Sequence, residues 1–168
     1  MVGKADLMEF IKDESYEVHD VIRKYISENN VNTKPFVDKI AHSPQINQRL
    51  FSVDLAGKEY IPLLLNDYNT NVRCATIDRF ADSLDSATID HLIADSNPVV
   101  REYVARKVNN LTDAQIQRLL HDRVAGFWMQ NRLDEYCKTY RRLFYLEKLF
   151  ADVKGDMACS QREESLQR

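Results

Sequence analysis

Apolar residues recur at helical spacing in three short segments in the middle of the chain. Segments 60–67, 84–95 and 111–122 each place three apolar residues at positions i, i+3 and i+4, which form one face of a helix. Asp85 and Thr112 stand where helix N-caps are expected. The segments recur at intervals of 28 and 27 residues, which predicts stacked helical repeats. The repeated apolar residues are Ile61, Leu64 and Leu65, then Ile89, Leu92 and Ile93, then Ile116, Leu119 and Leu120.

A turn and a second predicted helix follow each of the first two segments. Asp67 and Asp95 begin these turns, each turn contains an asparagine, and Arg73 and Arg101 follow the aspartates by six residues. Pro98 falls in the first turn of its helix, where proline is accepted because its missing N–H would have no helical partner. Each repeat is therefore predicted to be a pair of helices, with Ile89, Leu92, Ile93 and Val104 in the core.

The shared element, an aspartate, a turn with asparagine and then Val-Arg, resembles the HEAT repeat and its shorter bacterial relatives. The resemblance covers residues 59–122 clearly and residues 34–133 in part. It implies an antiparallel pair of helices in each repeat, stacked on the neighbouring pairs. It also implies that aspartate and arginine bond along the stack, in a structural rather than a catalytic role. The residues of this implied polar ladder are Asp67, Arg73, Asp95 and Arg101.

The ends of the repeat region depart from the pattern. Upstream, residues 36–49 form a degenerate unit, with His42 near the position of the ladder aspartate. Downstream, Asp122 is retained, but Trp128 stands in place of the arginine. Terminal repeats cap a stack against water and are expected to differ from the others. The sequence therefore predicts an all-α fold, an α-solenoid of about four HEAT-like helical hairpins.

Further helices are predicted on both sides of the repeats. Segments 6–12 and 15–28 form a leading helix pair, and 134–153 forms one long closing helix. Residues 1–153 are predicted to form a single HEAT-like domain, and residues 154–168, which lack apolar periodicity, a disordered tail. In the closing helix, one arc of apolar residues is expected to dock onto the last repeat. That arc comprises Tyr136, Tyr140, Leu143, Phe144, Leu146, Phe150 and Val153.

Composition agrees with a packed helical protein. Hydrophobic residues make up 44% and charged residues 29%, whereas a disordered chain would be poorer in large apolar residues. Only four glycines and four prolines occur, too few for the tight turns of an all-β fold. No apolar run approaches the roughly 18 residues that span a bilayer, and the first residues lack a signal-peptide pattern. We therefore expect a cytoplasmic protein that does not bind membranes.

Charge is distributed unevenly along the chain. Residues 1–100 contain 10 basic and 16 acidic residues, and residues 101–168 contain 13 basic and 10 acidic residues. The net charge is therefore −6 in the first part and +3 in the second. Such a distribution can orient the approach of a charged partner, so the C-terminal part is the expected anion-facing end.

Residues that could carry chemistry occur without a known catalytic or metal-binding spacing. The three cysteines form no CxxC pair, the four histidines have no metal-ligand spacing, and no phosphate-binding loop or nucleophile motif occurs. No cofactor, metal or catalytic residue is therefore assigned. Cys74 aligns with Glu102 and is expected to be an unreactive surface thiol, and His91 aligns with Arg118, a surface position. Trp128 has two open interpretations, a core residue or an anchor for a partner.

Two functions follow from the predicted repeat. The favoured one is a non-enzymatic protein-binding module, of adaptor or inhibitor type. The alternative is a nucleic-acid-binding protein or DNA repair enzyme, because bacterial alkylpurine DNA glycosylases also use HEAT-like repeats, although no catalytic motif of theirs matches this chain. The protein-binding candidates on the second helices are Asn71, Cys74, Asp78, Glu102 and Arg106. The candidate phosphate contacts are Arg118, Arg123, Arg132, Lys138, Arg141, Arg142 and Lys148.

A second candidate protein-binding patch lies on the predicted closing helix, opposite its apolar arc. Tyr145 and Leu149 are large side chains that the arc cannot accommodate, and basic residues flank them. Aromatic and arginine side chains together are typical of interface anchors, although a single exposed tyrosine or leucine is also ordinary on a protein surface. The patch consists of Lys138, Arg141, Arg142, Tyr145, Lys148 and Leu149.

Overall fold

The computed structural model describes residues 7, 9–11, 13, 15–140 and 142, and these residues form helices and no strands. The predicted all-α class is confirmed. No helix among the described residues is long and apolar enough to cross a membrane. The helices are α1 (Tyr16–Asn29), α2 (Lys34–Ile40), α3 (Ile46–Leu55), α4 (Ile61–Leu65), α5 (Thr70–Phe80), α6 (Ser86–Ile93), α7 (Pro98–Lys107), α8 (Asp113–Leu120) and α9 (125–140), with short 3₁₀ turns at Lys58–Tyr60 and Ala81–Ser83.

Side-chain caps set the starts of four helices. Asp85 accepts a hydrogen bond from the Thr88 amide at the start of α6, and Thr112 forms a capping box at the start of α8. Both residues were predicted as N-caps, and both predictions are confirmed. Asn69 and Asn97 cap α5 and α7 in the same way. Each such cap stabilises its helix by about 1 kcal/mol, so the turn residues of the repeat fix where its helices begin.

Consecutive helices pack in pairs: α2 with α3, α4 with α5, and α6 with α7. The second helix of each pair also contacts the second helix of the next, so that α5 packs against both α3 and α7. Leu92 is 1% exposed, and Ile89, Ile93 and Val104 are also buried, which confirms the predicted core positions. The apolar face that recurs in the sequence is therefore the face that each first helix turns toward its neighbours.

The chain divides into two compact units after Trp128. In the first unit, α1 agrees closely with the predicted segment 15–28 and packs on α3. The predicted segment 6–12 is described only at residues 7 and 9–11, of which Leu7 and Ile11 are buried. The repeat region and the helix that leads into it thus lie in one unit.

The last described helix begins nine residues before the predicted closing helix. Backbone N–H groups of Val124 and Ala125 donate to Asp122, and α9 starts there. Gly126 permits this start, because a Cβ atom at that residue would lie 2.7 Å from the carbonyl oxygen of Leu120. Tyr136 and Tyr140 were expected to lie on a buried apolar arc of this helix. That expectation is wrong, since both side chains are exposed, at 63% and 58%. The other residues of the predicted apolar arc and the predicted tail 154–168 lie outside the described residues.

Candidate partner-binding surface

Three arginines, one on each of α3, α5 and α7, make the same set of contacts. Each guanidinium binds the carboxylate of the aspartate in the next turn that follows a first helix. Its Nη1 donates to the backbone carbonyl six residues earlier, at 2.8 Å in all three cases. The aspartate Oδ1 also accepts the backbone N–H two residues later, which fixes the turn. These three Arg–Asp rungs are Arg49–Asp67 at 2.8 Å, Arg73–Asp95 at 3.0 Å and Arg101–Asp122 at 2.7 Å.

For Arg73 and Arg101, the side-chain partner is the aspartate of the next turn and not the aspartate of the same turn. Arg101 contacts Asp95 only through the backbone carbonyl of Asp95, whose carboxylate binds Arg73 instead. The side-chain partner of Arg101 is Asp122, in the next turn. An arginine is long enough to donate one hydrogen bond to its own turn and others to the next turn. Sequence alignment cannot tell which of the two turns supplies the carboxylate. The first two rungs therefore link consecutive helix pairs, the third links α7 to the turn after α8, and their side chains have a structural role.

Burial decreases along the three rungs. The side chains are 2% and 7% exposed at Arg49 and Asp67, and 21% and 17% exposed at Arg101 and Asp122. Tyr68 covers the first rung, with its ring 4.2 Å from the Arg49 guanidinium. At the last rung, burial raises the pKa of Asp122, but hydrogen bonds from the Ala125 and Val124 amides and from Arg101 outweigh it and lower the pKa overall. This carboxylate is therefore held ionised, and it stabilises the fold above its unfolded pKa.

A row of equivalent positions on α3, α5 and α7 forms a second surface, on the side away from the rungs. The positions two residues before, two after and five after each rung arginine lie within an arc of about 60° on the helix. We call this surface the second-helix face. It consists of Asn47, Phe51 and Asp54 on α3, Asn71, Ala75 and Asp78 on α5, and Val99, Tyr103 and Arg106 on α7.

The structure alters the set of protein-binding candidates on these helices. Asn71, Asp78 and Arg106 are exposed as expected, and Glu102 is half-buried. Cys74 is buried at 4% exposure, so the prediction of a surface thiol is wrong. Burial raises the pKa of the Cys74 thiol to about 11, which keeps it protonated and poorly nucleophilic. The alignment with Glu102 misled because that side chain is itself largely covered, and a shorter side chain at the same position is covered completely.

At one end of the second-helix face, α1 lies across α3. The His19 ring stacks on Phe51, with centroids 4.0 Å apart and planes 2° apart. One turn later on α1, Arg23 forms an ion pair of 2.6 Å with Asp54. The Nε2–H group of His19 donates to the backbone carbonyl of Asp13 at 2.6 Å, which orients the ring. On α3, Phe51 is thus covered by the chain itself, and Asp54 is paired with it.

A cleft of about 290 Å³ opens where the cover provided by α1 ends. Its walls combine apolar and polar side chains from α1, α3 and α5, and Tyr16 at its edge is 70% exposed. The sequence did not indicate this cleft, although the spacing of His19 and Arg23 on one helix face and the small residue at Ala75 were visible in it. The lining residues are Tyr16, His19, Arg23, Asn47, Leu50, Phe51, Asp54 and Ala75.

At the other end of the face, Arg106 is held by three neighbours. Its guanidinium lies 4.5 Å from the Trp128 ring and 5.8 Å from the Tyr103 ring, and it pairs with Glu102 at 3.1 Å. Trp128 is half-buried, between the two interpretations that the sequence left open. Phe127, which contacts Trp128 edge-on, is 65% exposed. This end of the face is aromatic, and its arginine is already paired.

The structure describes only some of the residues that were predicted to contact phosphate or to form the closing-helix patch. Lys138 is exposed and pairs with Glu135 at 2.9 Å, and Arg142 is helical and exposed. Arg118 pairs with Asp90 at 2.5 Å. His91 is exposed, as expected. Among the described residues, no group of three His, Cys, Asp or Glu side chains is arranged to hold a metal ion. Arg141, Tyr145, Lys148 and Leu149 lie outside the described residues.

Searches of protein-family models, of functionally characterised proteins and of solved structures gave no match to this chain.

Proposed function

We propose that this chain is a HEAT-like helical-repeat protein that binds another protein through its second-helix face, as an adaptor or an inhibitor. The proposal rests on the two sides of α3, α5 and α7. On one side, the rung arginines are paired with aspartates, and the opposite side has exposed residues without a role in the rungs. The Arg–Asp rungs hold successive pairs in register, as a solenoid of about four hairpins requires. The opposite side presents Asn71, Asp78 and Val99, of which Asn71 and Asp78 are polar and Val99 is 43% exposed.

The charge of the face favours a protein partner over a nucleic acid. The cation of the face, Arg106, is paired with Glu102. Two cations beside the face are also paired, Arg23 with Asp20 and Asp54, and Lys107 with Asp78. Binding to a phosphate backbone requires several cations that can release counterions along one track. A protein surface, in contrast, is commonly recognised by mixed polar, aromatic and arginine side chains.

Site-specific photo-crosslinking tests this proposal. A benzophenone amino acid replaces Asn71 or Tyr103 on the face, or Ala87 or Ala114, which are exposed on the first helices α6 and α8. In extract of the source cells, we expect one protein to crosslink at Asn71 and Tyr103 and at least tenfold less at the two controls. Equal crosslinking at all four positions would place the binding surface elsewhere. Tight, steeply salt-dependent binding of duplex or single-stranded DNA would favour the nucleic-acid alternative.

The closing-helix patch is a separate proposal about where a partner makes contact. It gains support from the exposure of Lys138 and Arg142. We expect the triple variant Arg142→Ala, Tyr145→Ala, Leu149→Ala to keep its helicity and thermal midpoint and to lose capture of the crosslinked protein. The matched control is Gln130→Ala with Asn131→Ala, two exposed residues of the same helix. Full capture by the triple variant would remove the patch from the binding surface.

A further inference from the structure

The contact between α1 and α3 indicates how a helix binds to the second-helix face. His19 covers Phe51, two residues after the rung arginine of α3, and Arg23 binds Asp54, five residues after it. His19 and Arg23 are four residues apart, so they lie on one side of α1 and meet both positions together. A helix with a large flat side chain and a basic residue one turn later is thus a ligand that this face accepts.

The equivalent positions on α5 keep the acidic residue, which is exposed, but replace the aromatic one. Asp78 corresponds to Asp54, and Ala75 corresponds to Phe51. Because alanine replaces a phenylalanine, the surface is indented there, and the cleft of about 290 Å³ lies beside it. Tyr16 and Leu50 supply apolar walls to this cleft. A partner side chain at this point must be larger than His19 to fill the space.

The carboxylate on α5 is accessible to a partner. The Asp78 side chain is 51% exposed, although its Oδ1 atom forms an ion pair with Lys107. On α7, in contrast, the corresponding Arg106 is held by Trp128 and Glu102. The acidic residue with which α1 forms an ion pair on α3 is therefore also present on α5 but not on α7.

We propose that an amphipathic helix of the partner protein docks on α5 beside α1, inserts a large apolar side chain above Ala75 and places a lysine or arginine, four residues later, on Asp78. This inference rests on the proposed protein-binding function and specifies the chemistry of the partner. The partner helix runs alongside α1 and repeats on α5 the contacts that α1 makes on α3.

A synthetic peptide based on α1 provides the probe. It has the sequence of residues 15–30 with His19→Trp, carries a fluorescent label and is titrated with the full chain in an anisotropy assay. We expect saturable binding that weakens at least tenfold in Ala75→Trp, which fills the cleft, and in Asp78→Arg, which reverses the charge. Ala87→Trp and Asp82→Arg, exposed residues away from the face, are the matched controls and should leave the affinity within about twofold of that of the unaltered chain.

A charge exchange makes the test independent of folding defects. A peptide that also carries Arg23→Glu should bind the Asp78→Arg chain within about threefold of the original pair, because the ion pair is restored in the opposite sense. The inference is overturned if the peptide does not bind. It is also overturned if Ala75→Trp and Asp78→Arg bind normally, or if Asp54→Arg abolishes binding while Asp78→Arg does not, since the peptide would then displace α1. Crosslinking at Asn71 and Tyr103 would still support the proposed function in each of these cases.

Discussion

Replacement of Arg49 by alanine is expected to lower the free energy of unfolding by about 3–5 kcal/mol, because it leaves a buried carboxylate without its counter-charge. Asp67 is 7% exposed, and Tyr68 packs over the guanidinium that neutralises it. The same change removes the donor to the backbone carbonyl of Ser43. Urea denaturation followed by far-UV circular dichroism measures the loss as a lower midpoint at unchanged slope.

Arginine-to-alanine variants of the other two rungs should lose less stability, and the more exposed rung should lose the least. Arg73→Ala removes a pair that is 11% and 9% exposed, and Arg101→Ala removes the most exposed rung. Water can solvate the carboxylate that remains in these variants, so the free energy of unfolding should fall progressively less. Arg118→Ala is the control, because its pair with Asp90 is about half exposed and such surface pairs contribute about 0–1 kcal/mol.

A double variant separates the lost attraction from the stranded charge. Arg49→Met with Asp67→Asn removes both charges but keeps an oxygen that can accept the Asn69 amide, which Asp67 Oδ1 binds in the structure. We expect this variant to be more stable than Arg49→Ala, because no buried charge is left unpaired. Equal losses in Arg49→Ala and Arg118→Ala would show that the first rung does not link the helix pairs.

The sequence predicted what depends on local spacing. The interval between apolar triplets placed Leu92 in the core, and Asp85 and Thr112 marked where two helices begin. Residues at matching positions of the repeat also identified the aspartates and arginines of the ladder. These features follow from the helix period and from equivalent positions in successive repeats, which is why a periodic pattern records them.

The predictions that failed concern burial, which depends on whether a distant part of the chain packs over a residue. Cys74 was assigned to the surface from its helical position alone, but it is covered. The stack of His19 on Phe51 joins residues 32 positions apart, and no periodicity links α1 to α3. For Tyr136, the helix period defined an apolar arc but not whether that arc is covered, and the side chain is exposed. The cleft at Ala75 arises from such non-local contacts, so no local pattern of residues predicted it.

Leu92→Ala is expected to lower the free energy of unfolding by about 2–5 kcal/mol, as large-to-small changes in a core do. Leu92 is 1% exposed on α6, a helix that packs against both α7 and α8. Removal of its isobutyl group loses the transfer free energy of the buried carbons and leaves a cavity in the packed core. The measurement is again the urea midpoint, with the slope compared to that of the unaltered chain.

Leu63→Ala is the matched control for this change. Leu63 lies on α4, another first helix, and it is 36% exposed, so the same atoms are deleted with less burial lost and no enclosed cavity left. We expect its cost to be under about 1 kcal/mol, because changes at exposed positions away from caps and networks are small. If the two variants had the same midpoint, the apolar triplets would not mark the buried face of the first helices, and the repeat register built on them would be wrong.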